Sequence, residues 1–230
     1  MKRILVVALL ILSSLGITGC GSYDWHQKLT VEVETPDGVK SGSAVTSVSW
    51  WKNEFFKDGA AYQTKYQGEA VVVDLGSGRY LFALLRPPRD DEEYIANLAT
   101  RALYDTKERT WGDEAFKRVM VTKDLIKVPE IVYPLLVTFA DISDPKSVQK
   151  VDAANLAASF GAGYKIKSIT LEITSEEVTA GKVEELLGWL KQVGIDRPTL
   201  IPNPPPDRST ASNPDIQYLS PGEFSTELYK

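Results

Sequence analysis

Sulfur and imidazole are nearly absent from this sequence. It has one cysteine, Cys20, one histidine, His26, and two methionines in 230 residues. One Cys and one His cannot build a Cys/His zinc cluster of any known spacing. Net basic charge is also missing: 26 Lys and Arg face 31 Asp and Glu, a formal charge of −5. Such a balance excludes a chain that wraps nucleic acid, because that binding rests on Lys and Arg displacing counterions. No apolar run is long enough to cross a bilayer, which takes about 20 predominantly apolar residues; Ile4 to Leu12 is about half of that. Internal repeats and coiled-coil heptads are absent as well. No Asp-x-Asp-x-Asp-Gly calcium loop, P-loop, complete dinucleotide fingerprint or Gly-x-Ser-x-Gly elbow occurs.

What is present begins with an address. Lys2 and Arg3 form a positive start, Ile4 to Leu12 an uncharged apolar core, and Ser13, Ser14 and Gly16 break it ahead of Gly19-Cys20. This is the layout of a secretory signal peptide. The residues Ile17-Thr18-Gly19-Cys20 resemble a bacterial lipobox, with Ile17 in place of the more usual Leu. The resemblance implies removal of residues 1–19, a thioether-linked diacylglycerol on Cys20, and acylation, for instance by palmitate, of the new amino end. In a Gram-negative cell, Gly21 after the cysteine implies the periplasmic face of the outer membrane. Loss of Lys2 and Arg3 leaves the chain still more acidic, so it gains nothing from an anionic membrane surface. The lipid must anchor it, as two acyl chains do stably and one does only marginally. With Cys20 lipidated, no thiol remains for a disulfide.

The rest reads as a water-soluble body. Apolar content of 43% and charged content of 25% are near globular averages. Residues 20–27 read as a tether. Leu29, Val31 and Val33 alternate with Thr30, Glu32 and Glu34 in the period of a half-buried strand. Pro36-Asp37-Gly38 is a turn, and Ser43 to Trp50 completes a hairpin. "EAVVVDL" (69–75) and "RYLFALL" (79–85) flank Gly76-Ser77-Gly78 as a second hairpin. Its strands are apolar on both faces and so are expected to be covered on both.

Helices are expected over 91–104, after the acidic run Asp90 to Glu93, over a shorter stretch at "GDEAFKRVM", and over 179–193, where Val183, Leu186, Leu187 and Leu190 share a face. A brief helix is expected to end at Gly161, and Gly194 is expected to stop the last one. Leu135 to Phe139 and Lys165 to Ile173 read as strands. The resulting fold class is α+β, a largely antiparallel sheet with two main helices. Residues 28–201 form one globular domain, and the Pro-rich residues 202–230 an extended or disordered arm. The body, particularly residues 133–174, resembles proteobacterial envelope proteins of unknown function, a likeness that brings no catalytic residue with it.

Chemistry is sparse. Ser147-Val-Gln-Lys150 matches a Ser-x-x-Lys pair but lacks its companion motifs. Asp141, Asp144 and Asp152 flank a loop at a strand end, with Asp144 and Asp152 read as helix or turn caps, while Glu69 and Asp74 flank a strand. Glycosidase-type hydrolysis needs two carboxyls about 5 to 9 Å apart in a cleft. Trp50, Trp51, Phe55 and Phe56 crowd a strand end and form the candidate binding patch for a protein, glycan or lipid. The expectation is therefore a lipid-anchored envelope protein that catalyses nothing and serves as a binding module for a partner protein or wall component or as a structural module, with no cofactor or metal. A periplasmic hydrolase using acidic residues is the alternative.

Overall fold

The computed structural model describes residues 22–53, 61–88, 93–106 and 111–229. Chain order begins with strands β1 (Ser22–Thr35), β2 (Gly38–Asn53), β3 (Ala61–Gln67), β4 (Val71–Gly76) and β5 (Arg79–Ala83), followed by helices α1 (Tyr94–Tyr104) and α2 (Asp113–Val121). Strands β6 (Ile126–Lys127), β7 (Leu136–Phe139) and β8 (Val148–Lys150), helix α3 (Ala157–Phe160) and strand β9 (Lys165–Thr174) come next. Helices α4 (Lys182–Leu186), α5 (Leu190–Asp196) and α6 (Pro214–Gln217) complete the order, with short 3-10 turns between. The fold is α+β. Two antiparallel sheets form, one ordered β3-β2-β1-β9-β6 and the other β4-β5-β7-β8.

The expected turns hold both hairpins. Gly38 takes φ 107°, which a side chain resists, and Thr35 Oγ1 both donates to Gly38 O (2.8 Å) and accepts from Asp37 N–H (3.2 Å). The alternation in β1 starts earlier than Leu29. Trp25, Gln27, Leu29, Val31 and Val33 are all buried, and the residues between them face outward. The expected tether therefore does not exist beyond Gly21: residues 22–27 are strand, paired with β2 from Ser22↔Trp51 onward. Their alternation of Tyr23 and Trp25 with Asp24 and His26 is what a half-buried strand requires.

The four-stranded sheet is covered on both faces, as its apolar strands demand. Val71, Val73, Leu75, Leu81 and Ala83 face a first core with the inner side of the five-stranded sheet, α1 and α2. Phe82, Leu84, Val137 and Phe139 face a second core with Val183, Leu187, Leu190, Leu219 and Phe224. The sheets meet where β2 crosses β4. A Cβ on Gly42 would lie 2.0 Å from the Val72 carbonyl oxygen, so only glycine permits this approach.

Two expectations fail at the C-terminal end. The helix over 179–193 is split, because Thr179 is held by the backbone of Val45 and the chain turns helical only after Gly181. It breaks again at Leu187–Trp189 and then runs through Gly194 to Asp196. The expected loose arm is folded onto the body. Ile216, Leu219, Phe224 and Leu228 are buried in the second core, and Ala70 and Leu85 donate backbone hydrogen bonds to Phe224 and Glu223. The nearly buried Arg86 guanidinium reaches Glu223 (3.0 Å) and Asp215 (3.4 Å), and Lys150 also meets Asp215 (2.8 Å). Among the described residues no helix is long and apolar enough to cross a membrane.

Candidate functional site

The end of the five-stranded sheet where β1 begins gathers a cluster of aromatic side chains. Because paired residues share a face, Tyr23, Trp50, Lys52 and Tyr62 all point inward there. Phe116 of α2 stacks on Trp50 at 5.0 Å and meets Tyr23, Trp25 and Tyr62 at 5.2, 6.1 and 5.3 Å. Trp50 is wholly buried and its indole N–H donates to Ala96 O at 3.2 Å. It is thus a core residue and not part of an exposed patch: strand alternation turns it toward α1 and α2. Trp51 points to the opposite, outer face and is half-buried. Phe55 and Phe56 lie outside the described residues, as does Cys20.

Trp111 closes this cluster. Its ring lies 6.2 Å from Trp50 and 5.9 Å from Tyr62, and it is 47% exposed. Beside it Asp113, in the first turn of α2, accepts hydrogen bonds from Lys52 (2.7 Å) and from the Tyr62 hydroxyl. Lys52 foremost, then Tyr62 and Tyr23, hold the Asp113 carboxyl well below the usual carboxylate range. Burial and then the Asp113 charge push the Tyr62 hydroxyl up. Sequence reasoning placed neither Trp111 nor Asp113 here, since no local spacing links them to Trp50.

On the outer face, a shallow cleft of about 390 Å³ lies over the same strands. Cross-strand rows set its lining: Asp24, Ser49 and Lys65 in one, His26, Ser47 and Gln67 in the next. Ser49 and Ser22 donate to the two Asp24 oxygens, and His26 Nδ1 lies 2.6 Å from Glu176 O. Trp51 shares that face one row further out, opposite Ser22.

The candidate catalytic groups do not converge. Asp141, Asp144 and Asp152 accept the backbone N–H of Ser143, Lys146 and Ala154, each as a turn cap. Asp74 does the same for Gly76. The Ser147 hydroxyl donates to the Asp141 and Asp144 carbonyls, while Lys150 turns to Asp215. Glu69 alone is unusual. It is 2% exposed and lines a cleft of about 300 Å³ with Ser41, Ser43 and Lys182. Burial pushes its carboxyl up, against the Val183 N–H that it accepts at 3.1 Å, and the nearby Glu184 charge adds to the rise. Both Glu184 oxygens are buried without a hydrogen-bond partner. Among the described residues no three His, Cys, Asp or Glu side chains converge as a metal ion would need. No protein-family model, curated protein or solved structure matches this chain.

Proposed function

We propose that this chain is a lipoprotein of the cell envelope, held to a bilayer by acylated Cys20, that binds an envelope protein or wall component without catalysing a reaction. One observation carries the reading: the positive start, the uncharged apolar core and Ile17-Thr18-Gly19-Cys20 follow one another in lipobox order, and strand β1 is already formed at Ser22. A body whose strands lie downstream of Cys20 is compatible with cleavage before that residue. The outer-face cleft of Asp24, His26, Ser47, Ser49, Lys65 and Gln67 offers donors and acceptors of both charges to a polar partner. In a Gram-negative cell the Gly21 signal favours the periplasmic face of the outer membrane.

A hydrolase would rest on Glu69, the one carboxyl pushed up within a cleft. That carboxyl instead fixes the start of α4 through Val183, which favours a structural role.

Two measurements test the proposal. Intact-mass analysis of chain extracted from membranes should give residues 20–230 plus acyl groups, and Cys20→Ser should move the protein to the soluble fraction. An unmodified thiol would overturn the anchor. A photo-crosslinker at Lys65 should give a partner adduct in cells, whereas one at the exposed Val39, near the far end of the sheet, should not. Equal yields at both sites would remove the cleft from consideration.

A further inference from the structure

The missing tether has a geometric consequence that rests on the lipidation of Cys20. Two links of chain, Cys20 to Ser22, reach at most about 7 Å. The headgroup layer on each side of a bilayer is about as thick, since it adds 10 to 15 Å in all to a core of about 30 Å. A body whose first strand starts two links from a lipidated residue therefore cannot stand clear of the surface.

The end that arrives there suits such a boundary. Trp111 is half-exposed beside Tyr62, rings with an apolar body and a polar tip that prefer the headgroup level. Asp113, Lys117 and Met120 recur along one stripe of α2. Asp113 and Lys117 both lie beside Tyr23, and Met120, 45% exposed, is the next residue of that stripe. Among the described residues Lys52 is paired with Asp113 and Lys117 with Glu114. The exposed side chains offered to a bilayer are then the Trp111 ring and the Met120 thioether.

We propose that the anchor end of the body lies against the bilayer that carries its lipid, with Trp111 and Met120 in the headgroup layer. In that pose β1 leads away from the membrane, with the Asp37 turn at most about 45 Å out.

The test uses residues 20–230, coupled through Cys20, the sequence's one thiol, to a maleimide lipid in phosphatidylcholine vesicles. Lipids brominated at shallow acyl positions quench nearby tryptophan emission. They should remove Trp111's share of the emission, Trp111→Phe should abolish that loss, and added salt should leave it unchanged. Adding Met120→Trp to the Trp111→Phe chain should restore quenching, and adding Val39→Trp should not. Equal emission in brominated and plain vesicles, or undiminished quenching in Trp111→Phe, would overturn the proposal. Because coupling is chemical, this outcome is independent of whether cells lipidate Cys20.

Discussion

Val45 gives both of its outward backbone groups to one residue: its N–H donates to Thr179 Oγ1 at 2.9 Å, and its carbonyl accepts from Thr179 N–H at 3.0 Å. This pair seals the edge of β2 beyond the last residue of β3, where an open strand would otherwise invite pairing with another chain. It also carries the connection from β9 across the outer face, with Glu176 set on His26 and Lys28. Thr179→Ala removes the acceptor and leaves a buried N–H unpaired, at a cost of about 1 to 2 kcal/mol. Urea unfolding should show the loss, and Thr179→Ser should recover most of it.

Gly42 should tolerate nothing larger. A methyl at that position meets a backbone carbonyl, which cannot swing aside as a side chain can. Gly42→Ala should cost about 3 kcal/mol by forcing β2 and β4 apart. A thermal melt should show it as a drop of about 10 °C.

The adjacent tryptophans should separate sharply. Trp50→Ala empties the stacking site on Phe116 and removes the indole donor to Ala96 O, and should cost about 4 kcal/mol. Trp51→Ala should change stability by less than about 1 kcal/mol. Equal losses would contradict the opposite facing of the two rings.

The C-terminal segment should matter to stability as a core element does. Phe224 touches Phe82 and Phe139 at 5.8 and 6.0 Å, so Phe224→Ala should cost about 3 to 5 kcal/mol. Limited proteolysis should spare residues 214–228 in the parent chain and cut there in this variant.

Glu69 sets a pH dependence. Burial raises its carboxyl in the folded state, so the folded chain holds that proton more tightly than the unfolded one. Its contribution to stability is complete below the ordinary carboxyl range and is lost as pH rises through the raised value. Glu69→Gln, whose amide oxygen still accepts from Val183, should flatten that decline and match or exceed the parent at neutral pH. Parallel stability curves between pH 4 and 8 would sink this account.

Much of the fold was legible where one strand carries its own period. Both hairpins and the two-sided burial of β4 and β5 followed from alternation and from turn residues. The first six residues of β1 carried the same alternation, masked by the polarity of Asp24, His26 and Gln27. β3 gave little signal because "AYQTKYQ" is a strand with half-buried tyrosines and no apolar run. The C-terminal segment was illegible for a different reason. Its anchors, Ile216, Leu219, Phe224 and Leu228, follow no helical or strand period. The ion pairs holding it join residues 129 and 137 positions apart. At the candidate site, the sequence singled out Trp50 but could not supply Trp111, Asp113 and Phe116, which reach it from other elements.

Phe82 and Phe139 are covered by Phe224, a residue 142 and 85 positions further along the chain. Until the ribosome has passed that point the second core presents an oily surface that a chaperone or protease can recognise. A chain cut ahead of Phe224 would keep that surface open and be marked for removal by it.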